Sequence, residues 1–162
     1  MRDFPDFQEG FPREILFLLT EDCNLDCVYC YENHKNGKGL SAEFVKEKIR
    51  EELLAEDLCK LTSVTFFGGE PLLRFEVIRE VVDWFYSISW PSPTKDFIFQ
   101  VTTNGTLLND EMKQWFAAHR ENVIVGLSMD GTKEAQDRYR SNSYDTIIQH
   151  IDFLRENGRL SR

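Results

Sequence analysis

Four short runs of this chain are apolar almost without a break, and each gives way to a stretch whose apolar residues recur every three or four positions. The runs are Ile15–Thr20 (ILFLLT), Ser63–Phe67 (SVTFF), Phe97–Thr102 (FIFQVT) and Val123–Ser128 (VIVGLS). They are rich in β-branched and aromatic side chains, and their continuous apolar character predicts strands covered on both faces. After Ser41, a capping residue, Val45, Ile49 and Leu53 mark one helix. Leu73, Val77, Ile78, Val81, Val82 and Phe85 form a second stripe, and Asn109 caps a third helix containing Met112, Trp115 and Phe116. Ile147, Ile148, Ile151 and Leu154 form the fourth, which stops at Asn157-Gly158. Between the second helix and the third strand, Ser87–Lys95 reads as a loop, because its prolines cannot continue a helix. Strand and helix in strict alternation require right-handed crossovers, so the fold class is α/β with a parallel sheet.

Composition narrows what such a fold can serve. The 162 residues are 41% hydrophobic, enough for one domain with a real core. Nineteen Lys and Arg against 28 Asp and Glu give a net charge of −9, which argues against nucleic acid as a partner. The longest apolar run, Ile15 to Leu19, is too short to span a membrane. Acids at Asp3 and Asp6 stand where a signal peptide has its apolar core, so a cytoplasmic location is expected.

Each strand runs directly into a distinctive turn. The first leads to Glu21-Asp22-Cys23, the second to Gly68-Gly69-Glu70-Pro71, the third to Thr103-Asn104-Gly105-Thr106, and the fourth to Met129-Asp130-Gly131. In parallel sheets and barrels, ligands bind at the carboxyl ends of the strands, so these turns surround one site. Gly68-Gly69 lets backbone approach a ligand without a side chain between them. Glu70 offers a carboxylate to a ligand amino group. Asn104-Gly105 and Asp130-Gly131 are also common plain turn dipeptides. Arg138 and Arg140 read as a solvated face or as partners for a ligand carboxylate.

Three of the four cysteines, Cys23, Cys27 and Cys30, fall within eight residues, and Cys59 stands apart. A disulfide framework needs pairs and an oxidising compartment. Close thiolates in an intracellular chain read instead as ligands of a soft metal centre. Two centres compete: an iron–sulfur cluster with one iron left open, or a Cys₃His zinc site completed by His34. Cys59 reads as a small buried side chain.

The run Cys23-Asn24-Leu25-Asp26-Cys27-Val28-Tyr29-Cys30 resembles the signature of radical S-adenosylmethionine (SAM) enzymes, with an aromatic residue, Tyr29, before the last cysteine. Thr65-Phe66-Phe67-Gly68-Gly69-Glu70-Pro71 resembles the GGE segment of that family, and Val101–Thr106 and Gly126–Gly131 resemble later segments. Ser128 to Arg140 is similar to the peptide- and protein-modifying branch, which includes anaerobic sulfatase-maturing enzymes and SPASM-type maturases. The resemblance runs from about Ile15 to Asn157.

The resemblance implies a partial (β/α) barrel of the radical SAM type, with four parallel βα units of the family's six present. Residues 15–162 are then the N-terminal part of an incomplete core, and residues 1–14 a lead-in. It implies that Cys23, Cys27 and Cys30 hold a 4Fe–4S cluster whose open iron is chelated by SAM. Gly68, Gly69 and Glu70 would take the methionine amino group, and Tyr29 would lie by the adenine. Ser128 and Arg140 would hold the carboxylate and ribose, with Arg138 the competitor of Arg140. Asn104 would shape the pocket floor. The implied activity is generation of a 5′-deoxyadenosyl radical for hydrogen abstraction in peptide or protein modification. The alternative is a cofactor-binding fragment without independent catalysis. Implied partners are a peptide or protein substrate, an electron donor such as flavodoxin or ferredoxin, and a completing subunit or second copy. No residue is identified as contacting substrate, so catalytic residues stay unassigned.

Overall fold

A computed structural model describes residues 13–32, 37–54, 61–88, 90 and 96–160. His34, Cys59, most of the lead-in and most of the Ser87–Lys95 loop lie outside the described residues. The elements in chain order are β1 (Arg13–Thr20), α1 (Ala42–Leu54), β2 (Leu61–Gly68), a 3₁₀ turn (Pro71–Arg74), α2 (Phe75–Ser87), β3 (Asp96–Thr103), α3 (Asp110–Ala118), β4 (Val123–Leu127), α4 (Lys133–Tyr139) and α5 (Tyr144–Asn157). The four strands form one sheet in the order β1-β2-β3-β4, every pair parallel. The parallel pairing is what the alternation predicts, and the order steps from strand to strand in one direction.

That simple order corrects one expectation. Right-handed crossovers that always step the same way leave every helix on the same side of the sheet; helices on both faces need a reversal of strand order. Accordingly, among the described residues only one face is covered by helices. Phe17, Leu19, Val64, Phe66, Phe99, Val101, Val123 and Val125 are buried, in one core with Val45, Ile49, Val77, Ile78, Val81, Val82, Phe85, Phe116 and Leu154 from the helices. Registers such as Phe17↔Phe66, Phe66↔Val101 and Val101↔Val125 carry that face across the sheet. Each fully buried side chain of this size contributes ~1.5–3 kcal/mol. On the other face Leu16 and Leu18 are 52% and 48% exposed, and Ile98 and Ile124 are half-buried. The apolar runs are therefore strands with one packed face and one open apolar face, the geometry of a barrel wall seen from inside.

Two helix expectations shift for local reasons. Leu73 falls in the 3₁₀ turn and is 40% exposed, since Glu70 caps that turn with Pro71 at its start and α2 begins only at Phe75. Ile148 is also exposed, leaving Ile147, His150 and Leu154 as the buried residues of α5. The short helix α4 carries no apolar period to announce it, and is set by Thr132, whose Oγ1 accepts the Ala135 N–H. Beyond α5 the chain returns to the sheet. The Val125 N–H donates to the Arg159 carbonyl at 2.7 Å, and Leu160 makes a parallel bridge to Val125 on the free edge of β4. Among the described residues no helix is long and apolar enough to cross a membrane.

Candidate functional site

The turns at the carboxyl ends of the strands meet around the cysteine loop. On one flank the contact is backbone against backbone. The Gly69 N–H donates to the Thr20 carbonyl and the Glu70 N–H to the Asp22 carbonyl, both at 2.8 Å. A Cβ on Gly69 would stand 2.2 Å from the Asp22 carbonyl oxygen, and one on Gly68 would stand 2.3 Å from that of Thr20. Gly68 also has φ +135°, a region closed to side chains. These glycines clear space as the sequence suggests, but what comes close is the segment leading into Cys23.

Glu70 faces inward. It is fully buried, and its carboxylate accepts from three donors: Leu72 N–H (2.9 Å) and Thr103 Oγ1 (2.6 Å) on Oε1, and Asn104 N–H (2.8 Å) on Oε2. Burial pushes its carboxyl above the usual glutamate range, and the hydrogen bonds from Thr103, Asn104 and Leu72 pull against that shift. The side chain expected to meet a ligand amino group ties the ends of β2 and β3 together.

Asn104, almost fully buried, carries the tie to the cysteines. Its Oδ1 accepts from Thr106 N–H (2.9 Å) and Thr106 Oγ1 (2.7 Å). Its Nδ2 donates to Asn24 Oδ1 (3.0 Å) and to Cys23 Sγ (3.8 Å). Asn24 closes the ring by donating to Thr106 Oγ1 at 2.7 Å. The Leu25 N–H also points at Cys23 Sγ, at 3.4 Å.

The opposite flank is made by side chains. Asp130, just past β4, accepts from the Tyr29 hydroxyl on both oxygens (2.8 and 2.6 Å) and pairs with Arg140 Nε at 3.0 Å. The Arg140 guanidinium lies 5.3 Å from the Tyr29 ring centroid. Burial raises the Asp130 carboxyl, but the hydrogen bonds from Tyr29 and Arg140 outweigh it and hold the group below the usual carboxylate range. The C-terminal end of α4 completes the clamp: the Val28 N–H donates to the Tyr139 carbonyl at 3.0 Å, and the Asp26 N–H to Ser141 Oγ at 3.0 Å. Gln136, fully buried, takes the Asp130 N–H on Oε1 and donates from Nε2 to Ser143, fastening α4 behind the clamp. Arg138 is exposed, over the Tyr139 ring, whereas Arg140 joins Asp130 and Tyr29. Ser128 follows β4 directly, with its N–H on the Thr103 carbonyl at 2.9 Å. Sequence reading placed Thr106 and Asp130 in turns around the site and Asn24 in the cysteine signature, but gave none of the three a role. Of these, only Asp130 carries a signal, its place at a strand end.

The donor set can be tested against each metal centre. Cys23, Cys27 and Cys30 are half-exposed thiols outside any disulfide among the described residues, and the Cys30 N–H turns back onto the Cys27 carbonyl at 3.0 Å. Burial pushes the Cys27 thiol up, Arg140 opposes that shift, and Cys23 and Cys30 add to it. The zinc alternative needs four side chains gathered on one ion. Among the described residues no three His, Cys, Asp or Glu side chains gather in that way, and His34 lies outside them. An iron–sulfur cluster spreads its thiolates over several metal atoms and accepts N–H donors at its sulfurs. Three soft donors in one loop, with two N–H groups on Cys23, fit the cluster.

Comparison with known proteins supplies the remaining findings. A family model described as Radical SAM superfamily matches residues 17–161. The cysteine-type anaerobic sulfatase-maturating enzyme of Clostridium novyi (strain NT) is 30% identical over 149 residues, covering 83% of this chain and 38% of that protein. The serine-type anaerobic sulfatase-maturating enzyme of Bacteroides thetaiotaomicron is 32% identical over 148 residues, covering 84% and 34%. Native anSMEcpe with bound AdoMet and Cp18Cys peptide shares the fold at a TM-score of 0.76 and 20% identity, covering 94% of this chain and 42% of that one. Streptococcus suis SuiB bound to precursor peptide SuiA does so at 0.60 and 18%, covering 91% and 38%. This chain therefore spans well under half the length of each of these proteins.

Proposed function

The chain belongs to the radical SAM superfamily, and from that premise we propose that residues 15–162 form the cofactor-holding core of a peptide- or protein-modifying enzyme. Cys23, Cys27 and Cys30 hold a 4Fe–4S cluster, and S-adenosylmethionine binds beside it. When bound, this pair supplies reductive cleavage of S-adenosylmethionine and removal of a substrate hydrogen. The chain's own residues hold and shield that chemistry. The Gly68 and Gly69 backbone faces the methionine amino group, while Glu70 anchors that backbone and Asn104 behind it. Ser128 and Arg140 take the carboxylate and ribose, Arg140 being aimed by Asp130. Tyr29 flanks the adenine.

One observation carries the reading: the loop bearing the cysteines is fastened by the ends of all the other strands, through Gly69, Glu70, Asn104 and Asp130. So many long-range ties on one short loop fit a loop that must hold thiolates in fixed positions. The open sheet face with Leu16, Leu18, Ile98 and Ile124 is carried by the same strands and suits the apolar part of a peptide substrate. Support for a peptide comes from relatives described as sulfatase-maturating enzymes and from fold neighbours with bound peptides. An electron donor such as flavodoxin or ferredoxin supplies the reducing electron.

A second reading keeps cofactor binding and removes independent turnover: the chain acts only with a completing subunit, a second copy or further chain. It is favoured by the 38% and 34% of the maturating relatives' length that the chain covers. Anaerobic reconstitution with iron and sulfide, followed by dithionite reduction, tests both. A brown protein whose reduced-cluster EPR signal changes on adding S-adenosylmethionine is the result expected from cofactor binding. Formation of 5′-deoxyadenosine then selects the first reading, and its absence from the loaded protein selects the second. Failure to take up iron and sulfide would defeat both.

A further inference from the structure

We infer that Asn104 is a hydrogen-bond donor to the Cys23 thiolate and thereby sets how readily the cluster accepts an electron. This rests on the cluster proposed above and assigns Asn104 a role toward a cysteine ligand, where the sequence resemblance gives it only the floor of the pocket.

The orientation of the amide is over-determined. Its oxygen is occupied by both the N–H and the hydroxyl of Thr106, so its NH₂ group must face the other way, toward Asn24 Oδ1 and Cys23 Sγ. Its backbone N–H is held in turn by buried Glu70. An amide so fixed cannot rotate away when the sulfur changes charge. With the Leu25 N–H at 3.4 Å, Cys23 Sγ receives donors from two directions. Donors on a ligand sulfur draw negative charge off the cluster and stabilise its more negative, reduced form, which raises the reduction potential. A ring that served only to shape the turn would leave the potential alone.

The test is a reductive titration of the reconstituted protein, with the midpoint read from the EPR signal of the reduced cluster. Asn104→Leu, which removes the donor, should make reduction about tenfold less favourable, a midpoint ~59 mV more negative. If Asn104→Leu does not fold, Asn104→Ala removes the donor without overfilling the site or adding charge, and should shift the midpoint in the same direction. Wild-type protein carrying ¹⁵N in its asparagine side chains should show a ¹⁵N coupling to the reduced cluster in pulsed EPR. An unchanged midpoint in a cluster-loaded variant, or no coupling in the wild type, overturns the inference. A wild-type protein that binds no cluster overturns the reading it rests on, and leaves the two failures distinct.

Discussion

The cysteine loop is held from two sides by different physics. On the Gly68–Asn104 side the contacts are buried, polar and largely backbone, and glycine is required because no Cβ fits. On the Asp130–Arg140 side the contacts are charged side chains in partial contact with water; the Asp130 and Arg140 side chains retain 21% and 18% of their exposure. A buried hydrogen bond that loses one partner leaves the other unsatisfied in a low dielectric, whereas a half-exposed ion pair can turn to water. The first side should therefore carry the loop's stability. The second should set the positions of groups that face a ligand.

Gly69→Ala tests the buried side hardest. Its new Cβ meets the backbone of Asp22 and Glu21, which has no rotamer to change. The β1 lead and the end of β2 must separate, at a cost of about 3 kcal/mol by the measure of overpacked cores. Urea unfolding should show that loss and iron uptake should fall with it. A near-native midpoint would mean that the backbone pairing is not what holds the loop.

Glu70→Gln comes next, at about 2 kcal/mol, because an amide NH₂ must now face a donor that the carboxylate accepted. This variant also carries a pH signature. Burial raises the Glu70 carboxyl against the pull of its hydrogen bonds, so the folded state binds that proton more tightly than the unfolded chain does. Its contribution is then fully present below the usual glutamate range and is lost as pH rises through the raised value. Unfolding free energy measured against pH should fall over that interval in the wild type, and Glu70→Gln should flatten that part of the curve. The same slope in both proteins would reverse the assignment.

The two sides also differ in how far the sequence discloses them. Gly68, Gly69, Glu70 and Asn104 stand out because tight backbone approach demands particular residue types at adjacent positions. Even so, the partner of that approach, the chain before Cys23, is invisible without the fold. The direction of Glu70 is equally hidden, since a glutamate in a turn reads the same facing in or out. Asn24 and Thr106 meet across 82 residues of sequence, and such a contact leaves no periodic trace. The helix α4 is seven residues with no apolar stripe, so the geometry that separates Arg140 from Arg138 appears only once Thr132 and Gln136 have set it in place. The open sheet face follows from strand order, which the alternation of elements does not by itself reveal.

Asp130→Asn probes the charged side. Stability should drop by about 1 kcal/mol or less, the usual worth of such a pair. Its larger effect should be on the proposed ligand: with Arg140 and Tyr29 no longer fixed, S-adenosylmethionine affinity should weaken about tenfold in calorimetry of the reconstituted protein. Cluster content should stay unchanged. Loss of the cluster itself would move Asp130 from the ligand side of the comparison to the structural side.

The smallest effect separates the two arginines. Arg138 lies exposed with its guanidinium 5.3 Å from the Tyr139 ring, and removing it should change stability by less than ~0.5 kcal/mol and leave ligand affinity alone. Arg140 is linked to Asp130 and caps α4 through its N–H on the Gln136 carbonyl, at 2.8 Å, a backbone contact that alanine retains. Arg140→Ala therefore removes only the guanidinium, and should reproduce the affinity loss of Asp130→Asn without adding to it in the double variant, because both act through one pair. Additive losses would show that Asp130 and Arg140 reach the ligand independently. An effect of Arg138→Ala equal to that of Arg140→Ala would show that the α4 end rearranges when the site is filled.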